Sequence, residues 1–171
     1  MKTIILVIVT TLFASYAFSQ TCSSGYTKSK PNTQYIYVGE NESLVVDTQT
    51  GLMWMRCSLG QSWDGETCTG SVSKIIWQQA LKSGESLNYA GFDDWRVPNI
   101  KELSSLIESA CYEPAINEDI FPNTDVGDYW ASTYYLGQSS GHSWYVDFEG
   151  GKTDTYGKTN DAAVRLVRLG E

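Results

Sequence analysis

Histidine and basic residues are scarce in this chain. Its 171 residues include 1 histidine and 12 lysines and arginines against 20 aspartates and glutamates, which gives a formal net charge of −8 at pH 7. An acidic protein repels phosphate backbones, so we expect no nucleic-acid partner. The same repulsion weighs against sulfated glycans as ligands.

The common catalytic motifs are also missing. The sequence has no G-x-S-x-G, no H-E-x-x-H and no C-x-x-C segment, so no nucleophile–base pair can be named. Asp93 and Asp94 are adjacent and would point to opposite sides of an extended segment, whereas paired-acid glycoside chemistry needs facing carboxyls. The sequence therefore predicts a non-catalytic protein. An accessory enzyme of extracellular sugar metabolism is the least favoured alternative.

Only the N-terminus carries a continuous apolar run. Lys2 precedes the apolar segment Ile4–Phe13, and the small residues Ala17 and Ser19 follow it. This order is typical of a secretory signal, residues 1–19, cleaved before Gln20. The run is shorter than the about 20 residues that a membrane span needs. We expect an exported protein without a membrane span, located in the periplasm, at the cell surface or outside the cell, with a single N-terminal anchor as the alternative.

The four cysteines suggest two disulfides in an exported chain, and three pairings are possible. Cys57 and Cys68 flank a short glycine-containing loop, so a bond that closes this loop is the natural choice. Cys22 would then pair with Cys111 and tie the N-terminal tail to the end of the second helix. A cysteine metal site is the rival interpretation.

Residue periodicity predicts an α+β order of elements. A tail over residues 20–34 precedes a single domain, residues 35–169. Strands are expected at Tyr35–Val38, Leu44–Asp47, Gly51–Met55, Trp144–Phe148, Thr153–Tyr156 and Val164–Leu169. One helix is expected within Ser73–Tyr89, where Gly84 favours an end near Ser83. A second is expected over Asn99–Ala110, where Asn99 and Glu102 have the spacing of a capping box.

Five segments in a fixed order carry a family resemblance. They are Thr50–Trp54, Asp94–Leu103, Tyr129–Thr133, Trp144–Phe148 and Val164–Arg168. This set resembles the C-terminal domain family of the Legionella collagen-like protein, from about Tyr35 to Arg168. The resemblance implies a C-type lectin-like fold, with two helices packed on small antiparallel sheets, long loops, and N- and C-terminal strands side by side. The family's namesake implies a trimeric adhesin.

Aromatic residues are the compositional outlier, with 6 tryptophans and 11 tyrosines. Aromatic rings stack on sugars and anchor protein interfaces, but most of them belong to cores. We expect Trp54, Trp77, Trp95, Trp130 and Trp144 in the core, because they sit at periodic apolar positions. Trp63 lies in the Cys57–Cys68 loop and is a candidate for ligand contact.

A glycine- and serine-rich loop, residues 136–141, provides the second candidate surface. In lectin-like folds the loops on one edge carry recognition. The candidate binding residues are Tyr134, Tyr135, Gln138 and His142, with Asp128 expected near them. The alternative is a solvated hairpin whose tyrosines cover the sheet edge.

Calcium is the cofactor to consider. It needs about six to eight converging oxygen ligands, and the chain lacks the D-x-D-x-D-G loop and the sugar-binding motifs of C-type lectins. Glu113-Pro114-Ala115 comes closest to those motifs. We expect no cofactor, although a structural calcium among the acids of residues 117–128 stays open.

Together these features predict an exported, adhesin-like recognition module that binds a glycan or an extracellular protein. The alternative is a self-associating or partner-binding subunit of a surface structure, in which case a homo-oligomer is expected. Arg165 and Arg168 are predicted to be structural, and one of them to pair with Asp94 or Glu102.

Overall fold

Short strands joined by long loops make up most of the chain. The computed structural model describes residues 20–137 and 141–170, so the predicted signal segment and Gln138 lie outside the described residues. The helices are α1 (Trp77–Lys82) and α2 (Ile100–Ser104), with 3-10 turns at Asn32–Gln34 and Glu40–Glu42. The strands are β1 (Thr21–Cys22), β2 (Tyr35–Val38), β3 (Leu44–Asp47), β4 (Leu52–Met55), β5 (Ser62–Trp63), β6 (Cys68–Thr69), β7 (Ile75–Ile76), β8 (Cys111–Tyr112), β9 (Asp128–Tyr134), β10 (His142–Asp147), β11 (Lys152–Gly157), β12 (Asp161–Ala162) and β13 (Val167–Leu169). The α+β class expected from the sequence is confirmed.

A four-stranded antiparallel sheet joins the two ends of the domain. Its order is β13-β4-β3-β2, and Val167 of the closing strand lies opposite Trp54 of β4. Strands β2, β3 and β4 lie where the apolar patterns predict them. The closing strand is shorter than the predicted Val164–Leu169. The carbonyls of Ala163 and Val164 instead accept hydrogen bonds from the amides of Trp130 and Leu59.

A three-stranded antiparallel sheet, β11-β10-β9, forms the second layer. Leu103 and Leu106 of the α2 region share a buried core cluster with Val146 and Phe148 of this sheet. At the strand ends, Asp147 faces Asp128 and Ser143 faces Tyr134. The sheet therefore has two well-separated ends, which fixes where side chains from its loops can meet.

Both helices are shorter than the sequence predicts. The first was expected within Ser73–Tyr89 with an end near Ser83, and its end at Lys82 confirms that part. It begins only at Trp77, because Ile75 and Ile76 pair as a strand with Asp161–Ala162. Glycine is needed just after its end, because a Cβ at Gly84 would overlap the carbonyl of Trp95.

The second helix starts as predicted and ends early. Asn99 Oδ1 accepts from the amides of Lys101 and Glu102 at 2.9 and 3.0 Å, and the Glu102 carboxylate accepts from the Asn99 amide at 2.7 Å. This completes the capping box. The helix ends at Ser104 rather than Ala110, because the chain turns so that the Glu108 amide can donate to the carbonyl of Ala115 at 3.0 Å.

The N-terminal tail is fastened along the body of the domain. Strand β1 pairs with β8, and the Lys28 ammonium lies 3.0 Å from the Asp119 carboxylate. The structure contains the disulfides Cys22–Cys111 and Cys57–Cys68, the two pairs that the sequence favoured, with sequence separations of 89 and 11. The first bond closes a long loop, so it removes much conformational freedom from the unfolded chain.

Arginine pairs connect the segment that contains Asp94 and Arg96 to β13 and to α2. Arg168 Nε lies 2.6 Å from Asp94 Oδ1, one of the two acids predicted for it. Glu102 instead binds Arg96 through two bonds of 2.7 and 2.8 Å.

Within residues 20–137 and 141–170, no helix has the length and apolar composition to cross a membrane.

The buried Glu108 carboxylate is the anchor of the tail. Glu108 is 0% exposed, and it accepts from the amides of Ser29, Lys30 and Ala110 at 2.9, 2.7 and 2.9 Å. Burial by itself raises the pKa of Glu108, but these bonds outweigh it and the pKa lies below its ordinary value of 4.5.

We therefore expect Glu108→Gln to lower the free energy of unfolding by about 2 kcal/mol at neutral pH, because bonds to a charged acceptor are lost. Since the folded pKa is lowered, this stabilisation is present above pH 4.5 and is lost as the pH falls through the folded pKa. Urea unfolding of both proteins across this pH range is the measurement, with the exposed Glu66→Gln as the control. Equal acid sensitivity of wild type and Glu108→Gln would contradict the assignment.

Candidate functional site

The end of the three-stranded sheet where β9 stops and β10 begins brings together three of the predicted binding residues, Tyr134, Tyr135 and His142. Tyr134 is the last residue of β9 and His142 the first of β10. Because successive side chains along a strand point to opposite faces, the side chains of Tyr134 and Tyr135 lie on opposite faces of the sheet. We call this region, formed by Trp77, Tyr134, Tyr135, His142, Trp144 and Lys158, the aromatic end.

One face of the aromatic end holds a lysine between two aromatic rings. Lys158 Nζ lies 3.7 Å from the ring centroid of Tyr134 and 4.4 Å from that of Trp77. Tyr134 is 41% exposed. Cation–π contacts of this kind are worth about 0.5–1 kcal/mol at exposed sites. The lysine therefore holds the orientation of an exposed tyrosine.

Backbone bonds fix the partners of this lysine. The Lys158 amide donates to the Gly141 carbonyl at 2.8 Å, and the Trp77 amide donates to the Lys158 carbonyl at 3.1 Å. The Trp77 indole N–H donates to the Ala131 carbonyl at 2.8 Å. Helix α1, β9 and the segment after β11 are thus joined at one point, and the ring–lysine–ring stack has a rigid support.

The opposite face carries Tyr135, His142 and Trp144. The rings of Tyr135 and Trp144 meet edge to face with centroids 5.9 Å apart. Strand alternation places His142 and Trp144 on the same side, and both are half-buried. Tyr134, Tyr135 and His142 therefore lie at the same end of the sheet, as predicted, but on two faces.

Asp128 does not lie near these residues. It starts β9 at the other end from Tyr134, so roughly 20 Å of strand separates the two. Its neighbour across the sheet is Asp147. Burial and then the charge of Asp147 raise the pKa of Asp128, while Lys74 opposes them. The sequence misplaced this residue because the direction of β9 relative to the loop could not be read from it.

Asp128 belongs to an acidic concave surface at the far end of the sheet. A cavity of about 270 Å³ is lined there by Lys74, Gly127, Asp128, Asp147, Glu149, Asp161 and Ala162. A larger one of about 530 Å³ shares Glu149 and includes Glu113, Glu118 and Asp125. Lys74 neutralises Asp125 at 2.8 Å. Neither cavity has an aromatic ring in its lining.

The acids of residues 117–128 contact different partners. Asp119 pairs with Lys28 and Asp125 with Lys74, and burial raises the pKa of Glu118. Within the described part of the chain, no group of three or more histidines, cysteines, aspartates and glutamates could hold a metal ion.

Trp63 lies apart from the aromatic end and makes structural contacts. Its indole N–H donates to the Asn41 carbonyl at 2.6 Å, and its ring lies 3.8 Å from Cζ of Arg56. Arg56 is 5% exposed and donates to the carbonyls of Ile120, Glu42 and Asp119. Trp63 also borders a cavity of about 200 Å³ with Tyr89. The ring thus covers a buried arginine, whatever else it contacts.

Sequence reasoning missed Lys158 and misjudged two tryptophans. Trp54, Trp95 and Trp130 are buried, as expected for core residues. Trp77 and Trp144 are only half-buried, because they lie at the margin of the sheet rather than under it. The alternation of β11 predicts a strand that ends near Lys158, but no local pattern reveals that its side chain reaches Tyr134 and Trp77.

We expect Trp63→Ala to lower the free energy of unfolding by about 2 kcal/mol, since it removes one hydrogen bond and a cation–π contact to a buried guanidinium. Urea unfolding of the oxidised protein is the measurement. Leu136→Ala, at a 90% exposed position, is the control and should change stability by less than about 0.5 kcal/mol. If Trp63→Ala is as stable as that control, the contact between the Trp63 ring and Arg56 does not stabilise the fold.

Comparisons with known proteins add the family. A comparison with curated proteins found no match. Residues 43–168 match the family model described as the Lcl C-terminal domain, which confirms the resemblance seen in the five ordered segments. Because the match covers more than half of the 171 residues, the chain belongs to the Lcl C-terminal domain family.

Proposed function

We propose that this protein is an exported, non-catalytic recognition module with a C-type lectin-like arrangement, and that its aromatic end binds a glycan or an extracellular protein. The observation that carries the proposal is Tyr134, an exposed ring in contact with the ammonium group of Lys158, which lies between this ring and that of Trp77. Membership of the Lcl C-terminal domain family supports a surface or secreted recognition module.

Rigidity is what makes the exposed tyrosine suitable for binding. A ring that is already oriented loses little conformational freedom when a ligand stacks on it, so more of the contact energy appears as affinity. Lys158 supplies this orientation at 3.7 Å. An exposed aromatic side chain without such support would have to be ordered at the moment of binding.

The arrangement of the sheets supports the lectin-like proposal. The closing strand β13 and the first strand of the domain, β2, belong to one sheet, although β13 pairs with β4 and β2 lies at the opposite edge rather than beside it. The residues that leave β9 and enter β10 lie at one end of the other sheet, and lectin-like folds carry recognition on such loops.

The chemistry of the aromatic end favours recognition over catalysis and a neutral ligand over an acidic one. Its side chains are four aromatic rings, one ammonium group and one imidazole. Lys158 is already engaged with two rings, and the chain as a whole carries a formal charge of −8, which repels polyanions. Neutral glycans and protein surfaces satisfy both conditions.

The direct experiment is a glycan and matrix-protein array with the oxidised protein lacking residues 1–19, run with calcium and again with a chelator. We expect discrete hits whose strength does not depend on calcium. Tyr134→Ala should weaken binding to them about fivefold, because stacking on one ring is worth on the order of 1 kcal/mol.

The matched control for this variant is Tyr26→Ala, at a 76% exposed tyrosine of the N-terminal tail. It should bind like the wild type, and both variants should keep their melting temperature. Unchanged binding by Tyr134→Ala, or an equal loss in both variants, would refute the Tyr134 face of the aromatic end as the binding surface.

An assembly subunit is the second candidate, and strand β2 favours it. In the described part of the chain β2 is an edge of its sheet, its sequence Tyr-Ile-Tyr-Val carries no charge, and Ile36 is 56% exposed. Natural edge strands usually carry charges or prolines that prevent further pairing. An uncharged edge is therefore suited to pairing with another strand.

If assembly is the function, molar mass measured by light scattering should rise with protein concentration, and Ile36→Lys should return it to the monomer value. Thr153→Lys, on the edge strand of the other sheet, is the control. A monomer at every concentration would remove this alternative.

A further inference from the structure

The indole N–H of Trp144 differs from those of the other tryptophans. Four of them donate to backbone carbonyls: Trp63 to Asn41, Trp77 to Ala131, Trp95 to Tyr89 and Trp130 to Ile75. Trp54 is wholly buried. Trp144 is half-buried, and its indole N–H donates to none of the described residues. The indole nitrogen is also not one of the fully buried atoms that lack a partner. Its N–H is therefore open to solvent.

The Trp144 side chain lines a preformed groove on the α2 face of the sheet. The groove has a volume of about 240 Å³ and is lined by Ile100, Lys101 and Ser104 of α2, Trp144 of β10 and Thr153 of β11. Trp144 and Ile100 pack against the main core cluster. The Ile100 amide donates to the Thr133 hydroxyl at 2.9 Å, so α2 is fixed to the sheet at the groove itself.

We propose that this groove binds one pyranose ring of a neutral saccharide. The inference rests on the proposed recognition function and names its ligand class. A pyranose has an apolar C–H face and a rim of hydroxyls. The groove offers an aromatic ring for the face, and for the rim an indole donor, two hydroxyls and an ammonium group.

The polar groups of the groove are available for such a ligand. The Ser104 hydroxyl donates to the Lys101 carbonyl at 3.2 Å, so its oxygen can still accept a bond from a sugar hydroxyl. Lys101 and Thr153 are exposed. The groove thus contains both donors and acceptors, which matches hydroxyls that both donate and accept.

Size and polarity exclude the other common occupants. A volume of about 240 Å³ lies below the roughly 300–1,000 Å³ of pockets for drug-sized ligands, so the groove accommodates one ring and leaves the rest of a chain outside. An aliphatic chain would cover the indole N–H and the Ser104 hydroxyl without replacing their bonds to water, which is costly. Lys101 supplies a single positive charge, and the protein as a whole carries a formal charge of −8. A polyanionic sugar therefore gains little binding energy from electrostatic attraction.

The test uses the indole N–H as its own reporter. Nitrogen-15-labelled oxidised protein is titrated with neutral tetrasaccharides of glucose, mannose, galactose and N-acetylglucosamine to about 10 mM, which detects millimolar affinities. Trp144→Phe assigns the Trp144 signal by its disappearance. We expect this signal to exchange fastest with water among the described tryptophans, and to shift saturably with at least one tetrasaccharide.

The variants separate hydrogen bonding from ring stacking. Trp144→Phe keeps an aromatic ring and loses the donor, so the same tetrasaccharide should bind about fivefold more weakly; Ser104→Ala should show a similar loss. Tyr26→Ala is the control. A Trp144 signal that no neutral tetrasaccharide moves, or that a uronic-acid tetrasaccharide moves more strongly, would overturn the proposal.

The two binding claims fail separately. If Tyr134→Ala abolishes binding of the array ligands while Trp144→Phe binds every saccharide like the wild type, the groove is refuted and the recognition function stands. If the Trp144 signal responds as expected while Tyr134→Ala binds normally, the groove stands and the Tyr134 face is refuted.

Discussion

The buried guanidinium of Arg165 is the constraint on which the loops of this domain depend. Arg165 is 0% exposed, and its two terminal nitrogens donate to neutral acceptors: the carbonyls of Met55 and Arg56, and the hydroxyls of Ser58 and Thr124. Its Nε has no hydrogen-bond partner among the described residues. A buried charge is tolerated only when such bonds replace its hydration. Burial accordingly lowers the pKa of Arg165. The end of β4, the start of the Cys57–Cys68 loop and the segment around Thr124 must therefore stay where they are.

A second buried arginine extends this framework toward the surface. Arg56 holds the carbonyls of Glu42, Asp119 and Ile120, and Trp63 covers it. Long loops thus behave as fixed parts of the domain, although they contain little regular structure. The lysine at the aromatic end follows the same logic at the surface, because one cation fixes the rings of Tyr134 and Trp77. Side-chain cations bound to carbonyls and rings, rather than long helices, position the surfaces of this molecule.

What could be predicted from the sequence is what depends on neighbours along the chain. The capping box of Asn99 and Glu102 is local, and it formed as expected; the strand patterns of β2 to β4 and β10 are equally local. The first helix ends near Ser83 as predicted but begins later, because Ile75 and Ile76 pair with β12, and the second helix ends early because the chain turns toward Ala115. The site was predicted in part: Tyr134, Tyr135 and His142 share one end of a sheet, whereas Asp128 lies at the other. The position of the Lys158 side chain and the contacts of Trp63 with Asn41 and Arg56 depend on segments that are distant in sequence. Patterns within a single sequence do not contain this information.

The central claim is that ligands bind at the aromatic end, and mapping the bound surface tests it most directly. Backbone amide shifts of the labelled protein would be followed as a ligand from the array is added. The account predicts that the largest changes lie in residues 133–137, 142–144 and 156–158, together with Trp77 and the first turn of α2. Changes centred on the acidic cavities around Asp128, Asp147 and Glu149 would contradict it.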